Sequence, residues 1–280
     1  MKVVTCLKHV VDPETFRPEQ GDESRYRWIA NPLDLLALEQ ALRVRDAHGG
    51  EVKVLTVGPP HADASLKHAI MMGADRVVRM WDDRLSGADS CAAALVLAGA
   101  IRRTGFDLLL CGARSADTGS ELVGALLAEA LDLPLVTRVI HLDVDRERRR
   151  VVVHRKVDRG ARETYAAPLP AVLTIEEGAA EPRYCGPGWV RRLLREEVET
   201  LGLEDAGVEP ALVLPRVRPL DITPLRPRTK LGTRVAGLSL REKLMVMRGE
   251  AGGKKAGGIV NGPPEEAARK MKEHLDRWLA

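Results

Sequence analysis

Residues 107–124 read DLLLCGARSADTGSELVG, an apolar strand followed by a loop of small and polar residues that opens a helix. Small residues let a backbone approach a ligand, and the unpaired N–H groups at the start of a helix favour a phosphate. The hydroxyls of Thr118 and Ser120 either cap the helix or donate to a phosphate oxygen. The loop is neither a Walker loop nor a GxGxxG dinucleotide loop, so a polar turn with an N-cap remains an alternative interpretation.

Strand and helix patterns alternate through the first half of the chain. Apolar runs predict strands that are buried on both faces, at 3–7, 52–57, 76–80 and 107–111. Helical patterns follow these runs, at 33–47, 63–72, 89–103 and 120–131. This order predicts an α/β fold with a doubly wound, mainly parallel sheet. Ligands bind at the carboxyl ends of the strands in such sheets, which directs attention to the loops after Leu7, Val57 and Cys111.

The pattern changes from about residue 135. Short strands are predicted at 136–142, 151–157, 163–167 and 171–175, and their polar turns are typical of an antiparallel ribbon added to the sheet. Residues 181–258 are rich in Pro, Arg and Gly, which predicts an extended arm with short helical pieces. A final helix is predicted at 264–279. The chain is therefore expected to consist of an α/β domain at 1–180 and an arm with a terminal helix at 181–280.

The composition excludes several classes of function. The chain of 280 residues carries 43 basic and 40 acidic side chains, and this balance gives no electrostatic case for binding nucleic acid. No apolar run reaches the length of a membrane span, and no signal peptide precedes the first strand, so no membrane insertion is expected. The widely separated cysteines favour a reducing compartment, and we expect a cytoplasmic protein. The histidines show no metal spacing, and no nucleophile can be paired with a base, so no metal and no catalytic residue are assigned.

Two further loops lie where strands are expected to end or helices to begin. Residues 31–34, NPLD, come directly before the first long helix, where Pro32 fixes the turn. Asn31 or Asp34 either caps this helix or reaches a ligand across the same edge of the sheet. Val57 ends the second main strand, and Gly58 after it permits the close approach of a ligand or of another backbone.

Several segments, in order, resemble the beta-subunit family of electron-transfer flavoproteins along almost the whole chain. The matching segments are KHVVD at 8–12, NPLDLLALEQALRVRD at 31–46, MMGADR at 71–76, the strand, loop and helix at 107–134, VHRKVDRG at 153–160, PAVLT at 170–174 and EPRY at 181–184. The order of these matches is more specific than any single loop. The resemblance implies an adenine-nucleotide-hydrolase-like Rossmann topology for the α/β domain.

The family resemblance also implies a function. It implies a heterodimer with an alpha subunit that carries the electron-transferring FAD and is clasped by the C-terminal arm. Dehydrogenases or a quinone oxidoreductase are the implied redox partners, and the beta subunit itself binds AMP or, in electron-bifurcating members, a second FAD. The residues implied to contact this nucleotide are Cys6, Asn31, Pro32, Leu33, Asp34, Val57, Gly112, Ala113, Arg114, Ser115, Ala116, Asp117, Thr118, Gly119, Ser120, Glu121, Leu122 and Val123.

The binding loop departs from the family pattern G-x-Q-A-x-D-x-D-T-x-Q. Arg114 and Leu122 replace the two glutamines, Gly119 replaces the second aspartate, and Ser120 replaces the threonine. A hydroxyl is kept, but an acid and two amides are lost, so the choice between AMP and FAD stays open. The guanidinium of Arg114 offers an alternative, bidentate pairing with a pyrophosphate.

The arm departs from the family as well. The segment at 185–189, CGPGW, lacks the leucine that anchors an acyl-CoA dehydrogenase partner in the family, and Trp189 is an alternative anchor. Residues 231–258 resemble an insertion for which the sequence offers no explanation.

The sequence also leaves three alternative functions. A family member that has lost its nucleotide would act only as a scaffold. A stand-alone ATP-binding or adenylating protein would need an SGGxDS-like loop after the first strand, and residues 8–12 are unlike it. A nucleotide-sensing stress protein would normally end after about 150 residues, without the long arm.

Overall fold

The computed structural model describes residues 1–15, 26–193, 196–217, Ser239 and 263–279. Contacts between residues divide the chain into two units, 1–224 and 225–280. The predicted boundary between residues 180 and 181 stays a prediction. The predicted insertion at 231–258 lies outside the described residues, apart from Ser239.

The first unit is built on a nine-stranded sheet. Its strands are β1 (Lys2–Cys6), β4 (Glu51–Val57), β5 (Arg76–Met80), β6 (Leu108–Gly112), β7 (Leu135–Asp145), β8 (Arg150–Lys156), β9 (Arg162–Pro168), β10 (Ala171–Ile175) and β11 (Glu199–Leu201). The order across the sheet is β11-β5-β4-β1-β6-β10-β7-β8-β9. All neighbours from β11 to β7 are parallel, while β8 and β9 extend the sheet as an antiparallel ribbon. The predicted mainly parallel α/β sheet with an added antiparallel ribbon is confirmed.

A small hairpin, seven α-helices and four short 3-10 helices complete the described elements. The hairpin consists of β2 (His9–Val11) and β3 (Trp28–Ala30), which pair antiparallel outside the main sheet. The helices are α1 (Pro32–His48), α2 (Asp63–Met72), α3 (Ser90–Thr104), α4 (Val123–Leu131), α5 (Pro187–Leu193), α6 (Leu203–Ala206) and α7 (Pro264–Leu279). Helix α7 lies in the second unit and confirms the helix predicted at 264–279. No helix of the described residues has the length and apolar character that crossing a membrane requires.

The core lies on both faces of the sheet. One apolar cluster joins α1 and α2 to one face, and a second cluster joins α3 and α4 to the other. The central strands are buried on both sides, as in β10, where all five residues are buried. This double burial is why they appear in the sequence as continuous apolar runs and why their prediction succeeded.

The strand at Ala171–Ile175 corrects one prediction. Its bounds are as predicted, but it does not belong to the antiparallel ribbon. It inserts between β6 and β7 and pairs parallel with both, so that Val172 lies opposite Leu109 on one side and Leu135 on the other. Its completely buried pattern fits a central parallel strand better than a ribbon with one exposed face.

The arm contributes more to the sheet than its composition suggests. Strand β11 pairs parallel with the edge strand β5. Leu203 and Ala206 of α6, and Val213 beyond it, are buried in the cluster that contains α3. Part of the predicted arm therefore completes one edge and one face of the α/β unit.

Candidate functional site

A cleft of about 380 Å³ opens at the carboxyl edge of the sheet. From β1 the chain crosses over to β4, which is the neighbour of β1 on one side in the sheet. Strand β6 is the neighbour of β1 on the other side, and the chain continues from β6 toward β7 in that direction. The ends of β1 and β6 thus form a topological switch point, where the connecting loops diverge and leave a crevice. The loops named from the sequence, after β1, β4 and β6, meet at this crevice.

The loop after β6 forms the most distinctive wall of the cleft. Gly119 and Glu121 both adopt left-handed backbone conformations, with φ of 58° and 57°. A glycine takes this conformation without strain, while for Glu121 it is costly and is maintained by its surroundings. Within the described part of the protein, the backbone N–H groups of Glu121, Leu122 and Val123 have no acceptor. Unpaired N–H groups beside left-handed residues at a helix start are an arrangement typical of anion-binding sites, and we call the N–H groups of Glu121, Leu122 and Val123 the cradle.

Helix α4 begins at Val123, three residues later than predicted, and this shift changes the role of the hydroxyls. The N-cap position is Leu122, and no side chain caps the helix. Ser120 Oγ instead lies 3.0 Å from Ser90 Oγ at the start of α3, and Thr118 Oγ1 lies 3.0 Å from Ser115 Oγ. The interpretation of Ser120 or Thr118 as a helix cap is therefore wrong.

Asn31 holds the binding loop in place. It occupies the N-cap position of α1, but its side chain makes no capping hydrogen bond. Its Nδ2 donates to the carbonyl of Arg114 at 3.0 Å, and its Oδ1 accepts from the N–H of Ala116 at 3.0 Å. The predicted capping by this side chain is wrong, because both of its polar atoms bind a loop more than 80 residues away in sequence.

Asp34 connects the two loops at the switch point. Its Oδ2 accepts from the N–H of Lys8 at 2.7 Å, and its Oδ1 accepts from the N–H of Gly112 at 2.9 Å. Burial raises the pKa of this carboxyl to about 6, although hydrogen bonds from Lys8, Asn31 and Gly112 oppose that rise. Gly112 has to be small, because a Cβ there would lie 2.4 Å from Asp34 Oδ1.

The guanidinium of Arg114 is held by a buried acid. Arg114 Nη1 donates to Glu176 at 2.9 and 3.1 Å, and Arg138 Nε donates to the same carboxylate at 3.2 Å. Burial by itself would raise the pKa of Glu176, but the N–H of Glu177 and the two guanidiniums hold it below its usual value. Arg114 thus fastens the loop to the end of β10, and the pairing with a pyrophosphate stays a prediction.

A second ion pair joins the loop to the end of β1. Lys8 Nζ lies 2.7 Å from Asp117 Oδ2. Burial would raise the pKa of Asp117, but Lys8 and Ser115 hold it below its usual value. Lys8 and Arg114, which both line the cleft, are therefore each paired with an acid of the same unit.

The floor of the cleft is apolar. Cys6 and Cys111 lie at the ends of the paired strands β1 and β6, and both are buried in the same cluster. The hydrogen bond with Cys111, followed by burial, raises the pKa of the Cys6 thiol well above its usual value. Both residues behave as small apolar groups here.

Three aromatic rings form another wall, which we call the ring wall and define as His9, Trp28 and His61. The rings of His9 and Trp28 are stacked with centroids 5.2 Å apart and an interplanar angle of 11°. His61 lies 5.1 Å from His9 and 4.7 Å from Trp28. His9 Nδ1 lies 2.7 Å from Ser65 Oγ, which fixes the orientation of the imidazole.

The ring wall was missed by sequence reasoning. Its members come from β2, β3 and the turn at 60–62, and no spacing in the sequence brings them together. The two strands are three residues long, too short for an alternating pattern to appear. Trp81 and the whole segment at 85–90, which also line the cleft, were missed for a similar reason.

The structure brings most of the predicted site residues together. Thirteen of the eighteen line the cleft, namely Cys6, Asn31, Asp34, Val57, Gly112, Ala113, Arg114, Ser115, Thr118, Ser120, Glu121, Leu122 and Val123. The other five, Pro32, Leu33, Ala116, Asp117 and Gly119, lie in the same loops but do not line it. Contact of any of these residues with a nucleotide stays a prediction.

Comparison with known proteins identifies the family. Residues 20–205 match the model of the electron transfer flavoprotein domain. The chain is 35% identical over 219 residues to Protein FixA of Sinorhizobium fredii, covering 75% of this chain and 76% of that protein. It is 33% identical to the caffeyl-CoA reductase-Etf complex subunit CarD of Acetobacterium woodii, covering 75% of this chain and 81% of that protein. It is 30% identical to the electron transfer flavoprotein subunit beta of Bacillus subtilis, covering 90% of this chain and 99% of that protein.

The family-model match covers the cleft loops after β4 and β6 and part of the arm, and it agrees with the mainly parallel sheet on which the cleft is built. The chain therefore belongs to the beta-subunit family of electron transfer flavoproteins.

Proposed function

We propose that this chain is the beta subunit of a heterodimeric electron-transfer flavoprotein and binds an adenine nucleotide, AMP or a second FAD, in the cleft at the switch point. The partner is an alpha subunit that carries the electron-transferring FAD, and the complex passes electrons from dehydrogenases to an acceptor such as a quinone oxidoreductase. The observation that carries this proposal is the cradle of backbone N–H groups at Glu121, Leu122 and Val123, in a chain of this family.

The cradle suits the phosphate of a nucleotide. Its donors belong to the backbone, and they stand at the start of α4, where the helix dipole favours negative charge. The hydroxyls of Ser120 and Ser90 lie beside it. These groups suit the anionic end of the ligand, while the apolar floor formed by Cys6 and Cys111 suits its uncharged part.

The size of the cleft bears on which nucleotide is bound. A volume of about 380 Å³ lies near the lower end of the range for ligand pockets, roughly 300–1,000 Å³. This volume favours a mononucleotide, so AMP is the first candidate. A second FAD would place its AMP half in the cleft and its flavin half outside the mouth. A bound flavin supplies the redox chemistry, while the residues of this chain bind it, orient it and exclude water.

The arm offers a surface for the alpha subunit. Leu212, Leu214 and Val217 are 48%, 66% and 68% exposed, which is unusual for three apolar residues so close in sequence. Asp89 Oδ2 accepts from the N–H groups of Arg216 and Val217 at 2.7 and 3.0 Å, and thus holds this segment at the rim of the cleft. Exposed apolar groups held in one position support contact with a partner protein.

A nucleotide-free scaffold subunit is the second candidate. The specific observation in its favour is that Lys8 and Arg114 are already paired with Asp117 and Glu176. On this alternative, the cradle would remain empty in the complex, and the chain would only support the alpha subunit.

Co-expression with the candidate alpha subunit separates the two. The purified complex is denatured, and the released FAD and AMP are quantified per heterodimer. One FAD and one AMP support the first proposal, and two FAD support it in its bifurcating form. One FAD without a further nucleotide supports the scaffold, while failure to form any flavin-containing complex contradicts both.

A matched pair of variants locates the nucleotide. Ser120→Ala removes a hydroxyl beside the cradle and is expected to weaken AMP binding about 2- to 10-fold, the effect of one neutral hydrogen bond. Thr164→Ala on β9, whose hydroxyl bonds His154 outside the cleft, is the control and should leave AMP binding unchanged.

A further inference from the structure

The ring wall has an exposed aromatic member at the cleft. Trp28 is 36% exposed, although it is among the largest apolar side chains of the protein, and it lines the cleft together with His9 and His61. An indole ring that is exposed to water does not gain the free energy that burial of its apolar surface provides. Stacking of a second planar ring on it would bury that surface. The stacking on His9 covers one part of the ring and leaves another part exposed.

The wall also has the electrostatic character of a ring-binding surface. Burial, followed by the neighbouring His61, lowers the pKa of His9 to about 4, so His9 is neutral at physiological pH. A neutral, stacked pair of rings lets an uncharged heterocycle approach without desolvating a full charge. Aromatic side chains of this kind stack on nucleobases in many single-strand-binding proteins.

Thr56 provides an independent observation in the same cleft. It lies near the end of β4 and belongs to the lining of the cleft, and it is 1% exposed. Its hydroxyl has no hydrogen-bond partner among the described residues. A buried hydroxyl without a hydrogen-bond partner destabilises the fold. A polar edge of a bound ring would supply that partner when the Thr56 side chain turns to another staggered rotamer.

We propose that the ring wall is the base-recognition subsite of the cleft. The rings of Trp28 and His61 stack on the base of the nucleotide, and this stacking favours a purine over a pyrimidine. This inference rests on the proposed function. The phosphate cradle binds any nucleotide monophosphate equally well, because its donors contact the phosphate alone. Discrimination between bases has to come from elsewhere in the cleft, and the larger purine gains more from stacking than a pyrimidine does.

Calorimetric titration of the full chain with AMP and with CMP tests the inference. The wild-type chain is expected to bind AMP more tightly than CMP. Trp28→Ala should weaken AMP binding about 3- to 10-fold, the range of one aromatic contact, while CMP binding changes less, so that the preference for AMP shrinks. Trp28→Phe should retain most of the preference, since a phenyl ring also stacks.

Two additional variants control the result. His61→Ala should reduce the preference for AMP without removing the indole, which keeps the test valid if Trp28→Ala does not fold by circular dichroism. His141→Ala, on β7 and outside the lining of the cleft, should leave both affinities unchanged.

The outcomes separate this inference from the function on which it rests. AMP bound by wild type and equally well by Trp28→Ala and His61→Ala would overturn the subsite and leave the proposed function intact. Equal affinities of the wild-type chain for AMP and CMP would also overturn it. Absence of any nucleotide binding by the wild-type chain, alone and in complex with the alpha subunit, would overturn both.

Discussion

Replacement of Asp34 by asparagine tests the clamp between the loops after β1 and β6. The carboxylate accepts from the N–H groups of Lys8 and Gly112, and it is 7% exposed. Asparagine has nearly the same shape, but it does not titrate, and it offers one acceptor oxygen where the carboxylate offers two. The substitution therefore removes every pH-dependent contribution of this side chain to stability.

The magnitude follows from the pKa of the buried group. Burial raises the pKa of Asp34 from 3.8 to about 6 in the folded state, a difference that corresponds to about 3 kcal/mol at 1.36 kcal/mol per pH unit. Because the folded pKa is the higher one, the contribution of Asp34 to stability is fully present below pH 3.8. It is lost as the pH rises through about 6, since the unfolded chain ionises first.

Urea denaturation of the wild type and of Asp34→Asn, between pH 4 and 7.5, measures this contribution. Other titrating groups cancel in the difference between the two free energies of unfolding. The lost acceptor shifts that difference by a constant amount of about 1–3 kcal/mol. On this basis, the stability of the wild type relative to the variant should fall by about 2 kcal/mol from pH 4 to 7, because part of the total loss has already occurred at pH 4, where the unfolded carboxyl is half ionised. If the free energies of unfolding of the two proteins change in parallel with pH, the reasoning is refuted. That result would mean that the hydrogen bonds to Asp34 fully offset the burial of its charge.

Two other predictions concern packing around α1. Gly112→Ala should destabilise the fold by about 1–3 kcal/mol and weaken nucleotide binding, because the new Cβ would lie 2.4 Å from an oxygen of Asp34. Thermal unfolding and titration with nucleotide measure the two effects, and Gly186→Ala, where a Cβ meets open space, is the control. A double-mutant cycle of Glu39→Ala and Arg183→Ala should give a coupling of about 1–2 kcal/mol at pH 7, since their side chains lie 2.9 Å apart and Glu39 is buried. The pKa of Glu39 is below its usual value, so this coupling should be lost as the pH falls through that lowered pKa, and a pH-independent coupling would contradict the assignment.

The regular elements were predictable because their patterns are local. The helix at 63–72 and the strand at 76–80 have the same bounds in the structure as in the prediction from periodicity. The position of the cleft also followed from the sequence, because the order of strands and helices places a switch point at the carboxyl edge whatever the side chains are. Composition and pattern were therefore sufficient for the frame of the site.

The parts that failed depend on partners far away in sequence. Asn31 stands where a helix cap is expected, and its residue type and position are correct for one. Its amide nevertheless binds the loop at 114–116, which no local pattern reveals. The same holds for Ala171–Ile175, since an apolar run predicts a buried strand but does not name its neighbours in the sheet.

The departures of the binding loop from the family pattern acquire a physical interpretation from the cradle. The donors proposed for the phosphate are backbone N–H groups, and their direction depends on φ and ψ rather than on the side chains that differ. Gly119, which replaces an acid of the family pattern, adopts a φ of 58°, a conformation that glycine takes more easily than aspartate does. Arg114, which replaces an amide, fastens the loop through its ion pair with Glu176. Loss of an acid and two amides is thus compatible with phosphate binding, and the test of that compatibility is the AMP content of the heterodimer.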